Sequence, residues 1–110
     1  MKLKLLFLLF FTTLSSFAQY TLIPDVNFEN KLISLHIDYG YADGKVLTSS
    51  ISSLTSLDVS SAYITDLTGI QDFKNLTSLR CNNNQLTILD VSMNTALTEL
   101  DCYYNQLTTL

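Results

Sequence analysis

The sequence has very little proline, glycine or charge, and it has no tryptophan. Among 110 residues there are one Pro, three Gly and one His, and only 15% are charged. This composition excludes a collagen-like chain and a disordered tail, and the length provides for one small domain. The charges are mainly acidic, because residues 19–110 carry four bases and ten acids, a net charge of 4 − 10 = −6. We therefore expect no nucleic-acid partner.

Organised sets of catalytic or metal-binding residues are also missing from the sequence. His36 is the only histidine, and no Ser, Cys or acid is arranged around it. There is no Gly-rich phosphate loop, no thiol pair at redox spacing and no zinc-ligand set. Segment 38–44 has Gly40 and Ala42 where a calcium loop needs acids or Asn. We therefore expect no enzyme activity, no metal and no cofactor.

The N-terminus carries the one long apolar run. Two lysines, Lys2 and Lys4, precede the almost uninterrupted apolar run 5–14, and small residues follow at Ser16 and Ala18. This order predicts a secretory signal peptide, residues 1–18, that is cut after Ala18. Ten apolar residues rise only about 15 Å as a helix, against a hydrocarbon core of roughly 30 Å. We expect a secreted or cell-surface protein with no membrane span in the mature chain.

Residues 54–110 contain an internal repeat. Segment 76–89 recurs as segment 97–110, and an earlier copy keeps the apolar spacing. In that earlier copy Ala62 stands where the later ones have Asn84 and Asn105. The predicted units are 54–75, 76–96 and a broken 97–110, about two and a half repeats, and we expect the array to be truncated.

This spacing resembles the leucine-rich repeat, whose conserved segment reads Leu-x-x-Leu-x-Leu-x-x-Asn/Cys-x-Leu, with Cys81 and Cys102 in one apolar position. The alternation of Leu-Asp-Val-Ser-x-Asn with Leu-x-Cys-x-x-Asn-Gln-Leu is similar to secreted leucine-rich repeat proteins of Bacteroidota. The resemblance implies an α/β solenoid with repeats of about 21 to 22 residues, short parallel strands and an N-terminal helical cap. It also implies internalin-like recognition or adhesion outside the cell, with a protein or glycan as partner.

Residues 19–53 lack the repeat and are predicted to form the N-terminal cap with one helix. Asp25 follows Pro24 and is a suitable helix N-cap. The helix should end before Gly40, and a turn at 43–44 should lead into a first strand at 45–47. The apolar face of the helix should consist of Phe28, Leu32 and Leu35.

Alternation within each predicted strand places Leu79 and Cys81 inside and Ser78, Arg80 and Asn82 outside. Stacked coils then form columns on a concave face, with Arg80 between two acids. The candidate ligand-binding residues are Ser56, Asp58, Ser60, Ser78, Arg80, Asn82, Glu99, Asp101 and Tyr103. Three turn residues, Asn84, Asn94 and Asn105, are expected to satisfy backbone groups that the bends leave unpaired.

Two questions remain open at this point. Cys81 and Cys102 should lie on adjacent strands about 4.8 Å apart, and parallel side chains keep Cβ atoms beyond the roughly 3.8 Å of a disulfide. This favours two buried thiols, with a disulfide as the alternative. The function is either binding through the concave face or a structural spacer or cap in a longer secreted surface protein, with or without a downstream enzymatic domain.

Overall fold

A computed structural model describes residues 18–108 of the chain, so the predicted signal peptide, except for Ala18, lies outside the described residues. Within 18–108, no helix combines the length and apolar character needed to cross a membrane. The units 54–75, 76–96 and 97–108 are called the first, second and third coil below. The elements are β1 (Tyr20–Leu22), α1 (Val26–Ser34), β2 (Lys45–Leu47), α2 (Thr48–Ile51), β3 (Ser56–Asp58), a 3-10 turn (Ile70–Asp72), β4 (Ser78–Arg80) and β5 (Glu99–Asp101).

Helix α1 begins where its N-cap was predicted. The Asp25 side chain accepts a hydrogen bond from the Phe28 N–H at 3.0 Å, which satisfies one of the free donors of the first turn. Phe28 and Leu32 are fully buried, as expected from their spacing. The prediction for Leu35 is wrong, since it is 39% exposed. The helix ends at Ser34, so Leu35 is its C-cap and turns away from the buried face.

The N-terminal segment contains a strand that the sequence analysis missed. β1 pairs antiparallel with β2, Thr21 opposite Val46. Thr21 is buried, and its hydroxyl donates to Asp72 Oδ2 at 2.7 Å and also bonds Thr48 Oγ1 at 2.8 Å. Three residues are too few for a readable period-two pattern. The predicted strand at 45–47 is therefore the second strand along the chain, and β1 holds it to the 3-10 turn of the first coil.

β3, β4 and β5 form a three-stranded parallel sheet, which confirms the predicted short parallel strands. Ser56 pairs with Ser78, and Ser78 pairs with Glu99, so the strands align at equivalent positions of successive coils. The central Leu of each strand points away from solvent in the first two coils, where Leu57 and Leu79 are buried. The fold is a solenoid-like stack in which each coil covers the apolar face of its neighbour.

The first coil packs against the segment that precedes it. The Phe28 ring of α1 stacks on Phe73 with centroids 6.2 Å apart. Gly69 lies under β1 at φ 111°, and a Cβ there would come within 2.8 Å of the Leu22 carbonyl oxygen. Only glycine permits this close approach at that backbone conformation. One continuous core results, formed by Ile23, Phe28, Leu32, Val46, Ile51, Leu57, Val59, Ile64, Leu67, Ile70, Phe73, Leu76, Leu79, Cys81, Leu86 and Leu89.

Each coil leaves the sheet through one residue in the left-handed conformation. Ser61, Asn83 and Tyr104 have φ of 53°, 57° and 53°. They occupy equivalent positions of the three coils, in step with the strand register. The departure at Ala62 therefore does not prevent the first turn from forming, because the bend is made one residue earlier, at Ser61.

Candidate functional site

The exposed face of the parallel sheet, called the sheet face, gathers most of the predicted binding residues. The register places Ser56, Ser78 and Glu99 side by side at the start of the strands and Asp58, Arg80 and Asp101 side by side at their end. In β3 and β5 both end residues are exposed while the Leu between them points inside. This arrangement follows from the alternation of side chains along a strand.

Arg80 lies between the two acids of its column. Its Nη1 is 3.7 Å from Asp58 Oδ2, and its Nε is 3.5 Å from Asp101 Oδ2. The three side chains are 51%, 49% and 53% exposed for Arg80, Asp58 and Asp101 respectively. Ion pairs this exposed contribute about 0 to 1 kcal/mol each. The column therefore adds little to stability, and it places one cation between two anions on the sheet face.

Asp58 is further held by its own strand end. Its Oδ1 accepts from the Ser60 hydroxyl at 2.6 Å and from the Ser60 N–H at 3.0 Å. These two bonds, followed by the weaker attraction of Arg80, keep the pKa of Asp58 below its ordinary value against the opposing effect of burial. Asp58 is thus a charged, preoriented acceptor at neutral pH.

The third column consists of Ser60, Asn82 and Tyr103. Its side chains differ in exposure, although all three were predicted to lie on the outer face. Tyr103 is half exposed, and its ring meets the Tyr104 ring edge to face with centroids 5.2 Å apart. Asn82 was predicted to point outward, and this is wrong because only 4% of it is exposed. β4 ends at Arg80 and the chain turns at Asn83, so the alternation of side chains stops before Asn82. The Oδ1 atom of Asn82 is buried without a hydrogen-bond partner.

Asn84 lies just beyond the second strand, where its amide spans two coils. Its Oδ1 accepts from the N–H groups of Ala62 and Ile64, both at 3.0 Å. Its Nδ2 donates to the carbonyls of Val59 and Cys81 at 3.0 Å and of Asn82 at 3.3 Å. A single buried amide thus bonds five backbone groups at the two bends.

The other two turn asparagines bond in related ways. Asn105 accepts from the Leu86 N–H at 3.0 Å and donates to Cys81 and Cys102 carbonyls at 2.9 and 3.0 Å. Asn94 lies on the far side of the coil, where its Nδ2 donates to the carbonyls of Ile70 and Phe73 at 2.8 and 3.1 Å. Asn94 is buried, and Asn105 is half-buried.

The two cysteines are free thiols at equivalent positions of neighbouring coils. Cys81 is buried, whereas Cys102 is only half-buried. Burial raises the pKa of the Cys81 thiol to about 12, with smaller contributions from Cys102 and Asp101. Cys81 is therefore a neutral apolar core residue rather than a nucleophile.

Several features of the described residues were not singled out from the sequence. Tyr104 and Tyr63 are 76% and 73% exposed, and both have positive φ. The signal for Tyr104 was available, since Tyr103-Tyr104 replaces Asn82-Asn83 of the preceding repeat. His36, the single histidine noted in the sequence, is exposed and has φ 61° just after α1.

A cluster of acids lies away from the sheet face. The carboxylates of Glu29, Asp38 and Asp43 lie within 4.8 Å of one another. Both Glu29 oxygens accept hydrogen bonds from backbone N–H groups, of Asp43 and Gly44.

Known proteins share both this sequence pattern and this geometry. No protein-family model matches the chain. Internalin J from Listeria monocytogenes serotype 4b (strain F2365) is 39% identical over 72 residues, 66% of this chain and 8% of that protein. The solved functional domain of InlJ from Listeria monocytogenes, described as including a cysteine ladder, superimposes with a TM-score of 0.72 at 37% identity over 84% of this chain. The fold is an internalin-like leucine-rich repeat.

A second internalin structure gives the same result at lower sequence identity. Internalin C2 from Listeria monocytogenes superimposes with a TM-score of 0.72 at 26% identity and covers 87% of this chain. The chain spans 8% of Internalin J, 21% of the solved InlJ domain and 44% of the solved internalin C2 chain. The chain therefore matches only part of each of these proteins. Its two free thiols, Cys81 and Cys102, occupy the same apolar position of adjacent coils.

Proposed function

We propose that this internalin-like repeat is an extracellular recognition or adhesion module that binds a protein or glycan through the sheet face, without catalysis. The observation that carries the proposal is the exposed Asp58, Arg80 and Asp101 column, in which Arg80 lies between two acids on the same face as the half-exposed Tyr103 of the third coil. Exposed aromatic and Arg side chains are enriched where proteins are recognised. An extended, curved sheet is also the usual binding surface of repeat proteins.

The proposed limits of the module follow the sequence pattern. Residues 1–18 are a signal peptide, and 19–53 form an N-terminal cap. Residues 54–110 are leucine-rich repeats of about 21 to 22 residues. On this basis the mature chain is secreted or lies at the cell surface. The proposed ligand-contacting residues are those of the three columns except Asn82, which is buried.

The test is to replace Arg80 or Tyr103 by Ala and to compare binding to cells and to immobilised extracellular glycans. Lys74→Ala is the matched control, because Lys74 is exposed and lies outside the three columns. We expect each sheet-face variant to weaken binding by about 1 to 3 kcal/mol and Lys74→Ala to leave it unchanged. Equal loss of binding in all three variants would show that binding is not specific to the sheet face. No loss in Arg80→Ala and Tyr103→Ala would place the binding site elsewhere or favour a structural spacer.

A further inference from the structure

A groove separates the first two coils beyond the turns at Ser61 and Asn83. Residues of segment 65–71 line it from the first coil, and residues of segment 87–93 line it from the second. None of them belongs to the sheet face. The groove has a volume of about 600 Å³, which lies within the range of roughly 300 to 1,000 Å³ that is usual for ligand pockets.

The groove is open because the first coil is attached to the cap at this point. Among the described residues, no backbone hydrogen bond joins the two sides of the groove. The second and third coils, in contrast, stay joined here, since the Thr108 N–H donates to the Thr87 carbonyl at 3.0 Å. The side chain of Asp25 in the cap accepts from the N–H groups of Thr65 and Asp66, both at 3.0 Å. These bonds hold the first coil away from the second.

Two apolar side chains in the groove are exposed although the repeat does not require them. Ile88 is 64% exposed and Met93 is 56% exposed. One repeat earlier the equivalent residues are Asp66 and Gln71, and one repeat later Thr109 takes the place of Ile88. Among the large apolar side chains that are exposed on the described coils, these two are the only ones other than tyrosines. Their meeting in one groove favours an interaction surface.

The groove is also acidic. Asp66 and Asp90 line it, and its lining contains no Lys, Arg or His. Each carboxylate is oriented by its own turn, because Asp66 Oδ1 accepts from the Thr68 N–H and Asp90 Oδ1 from the Ser92 N–H, both at 2.9 Å. The bonds from Ser92 hold the pKa of Asp90 below its ordinary value. With the net charge of 4 − 10 = −6 on residues 19–110, this groove attracts cations and repels anions.

We propose that the groove binds an extended basic segment of a partner protein. An apolar side chain of that segment packs on Ile88 and Met93, and a neighbouring Lys or Arg faces Asp66 or Asp90. Successive side chains of an extended chain point in opposite directions, so alternating apolar and basic residues reach both kinds of contact. Charge complementarity selects a basic partner over an acidic one. This surface is separate from the sheet face and does not depend on the function proposed above.

The first test uses short synthetic peptides that alternate Lys with Leu, Ile or Met, and matched sets with Gln or Glu in place of Lys. The isotope-labelled full chain is titrated with each set and followed by NMR. The Lys set should bind with a Kd of about 1 mM or lower, and the amide signals that shift should be those of segments 65–71 and 87–93. The Gln set should bind about threefold or more weakly than the Lys set, and the Glu set more weakly still.

Three results would overturn the proposal. The first is that no Lys peptide binds. The second is that the Lys and Glu sets bind equally, because charge would then play no part. The third is that the shifted signals come from Asp58, Arg80 and Asp101, because the peptide would then lie on the sheet face.

The second test changes the groove without changing the core. Asp66→Asn and Asp90→Asn keep the oxygen that accepts the turn bond, and each should weaken binding of the Lys peptides about threefold. Ile88→Thr and Met93→Gln introduce the polar residue types of the neighbouring repeats. Each should weaken binding about fivefold, because less apolar surface is covered by the peptide. Unchanged affinity in all four variants would contradict the proposal.

Matched controls lie on the cap. Asp43→Asn removes an exposed charge whose Oδ1 accepts from the Lys45 N–H at 3.2 Å, a turn bond of the same kind. Val26→Thr changes an apolar side chain that is 59% exposed. Both should bind the Lys peptides like the wild type, and a loss equal to that of the groove variants would contradict the proposal. Weaker binding in Ile88→Thr and Met93→Gln alone would show that the groove takes neutral apolar ligands, and the basic partner would be wrong.

Discussion

At the scale of single residues, the asparagine amides show how much chemistry one side chain can carry. Asn84 is 8% exposed and bonds five backbone groups of two coils. Only Asn and Gln end in an amide with two donors and a strong acceptor, and Asn is the shorter of the two. This explains why an Asn recurs at a bend that is otherwise surrounded by Leu.

We predict that Asn84→Ala lowers the free energy of unfolding by about 3 kcal/mol or more, because it leaves buried N–H and carbonyl groups without partners. Urea unfolding of the full chain measures this. Gln85→Ala is the control, since Gln85 is the exposed neighbour and its loss should cost about 0.5 kcal/mol or less. Similar losses in both variants would show that water replaces the amide.

The residue scale also shows where reading the sequence fails. The alternation rule correctly places Leu79 and Cys81 inside, but it fails at Asn82, because the strand has already ended at Arg80. The ion pairs of Arg80 follow from register alone, whereas Glu29 gives no sequence signal of burial. An acid in a first helical turn is normally read as an exposed group that favours the helix dipole.

At the scale of elements, the junction between α1 and the first coil depends on Asp25. Its Oδ1 caps the helix, while its Oδ2 accepts from the Thr65 N–H, the Thr65 hydroxyl and the Asp66 N–H, all at 3.0 Å. The capping role was predicted from the sequence. The contact with residues 65 and 66 could not be, because it joins segments 40 positions apart.

Burial opposes ionisation of Asp25, yet its four hydrogen-bond donors keep its pKa below the ordinary value of 3.8. Since the folded state favours the charged form, this stabilisation is present at neutral pH and is lost as the pH falls through the lowered pKa. We predict that Asp25→Ala costs about 2 kcal/mol at neutral pH and clearly less in strong acid.

Urea unfolding at about pH 7 and about pH 2.5 measures this difference. Asp90→Ala is the matched control, because Asp90 is exposed and accepts within its own turn from Ser92. It should lose much less at either pH. If the Asp25→Ala penalty were the same at both values, hydrogen bonding to the charged form would not be its cause.

At the scale of the whole molecule, the third coil is less buried than the first two. Leu57 and Leu79 are 2% and 0% exposed, while Leu100, at the same position of the third coil, is only partly buried. A solenoid derives much of its stability from contacts between neighbouring coils. The second coil, covered on both sides, should therefore be more sensitive to truncation of its Leu than the third.

We predict that Leu79→Ala lowers the free energy of unfolding by about 3 to 5 kcal/mol and Leu100→Ala by about 1 to 2 kcal/mol. Thermal and urea unfolding of the two variants provide the comparison, with each acting as the control for the other. Equal losses would indicate that the third coil is covered as well as the second. A larger loss of stability for Leu100→Ala would contradict the lower burial of the third coil.

The repeat made the architecture predictable, because spacing, apolar type and turn Asn agree in two copies. The parallel sheet and the columns follow from that period. The cap was predicted only in outline. The start of its helix and the strand at 45–47 have local sequence signals, but β1 has none. The role of β1 depends on the hydrogen bond that Thr21 donates to Asp72, far along the chain. Contacts between distant segments of the cap cannot be predicted from a repeat period.

The side-chain amides also give the stack a direction. Asn84 donates back to Val59, Asn94 back to Ile70 and Phe73, and Asn105 back to Cys81. Every one of these bonds runs from a later coil to the one before it. Each coil therefore supplies hydrogen bonds that complete the bend of the coil before it. During synthesis, that bend stays without these bonds until the next coil has been made. An array built in this way can lengthen by duplication of its last unit, because no earlier unit has to change.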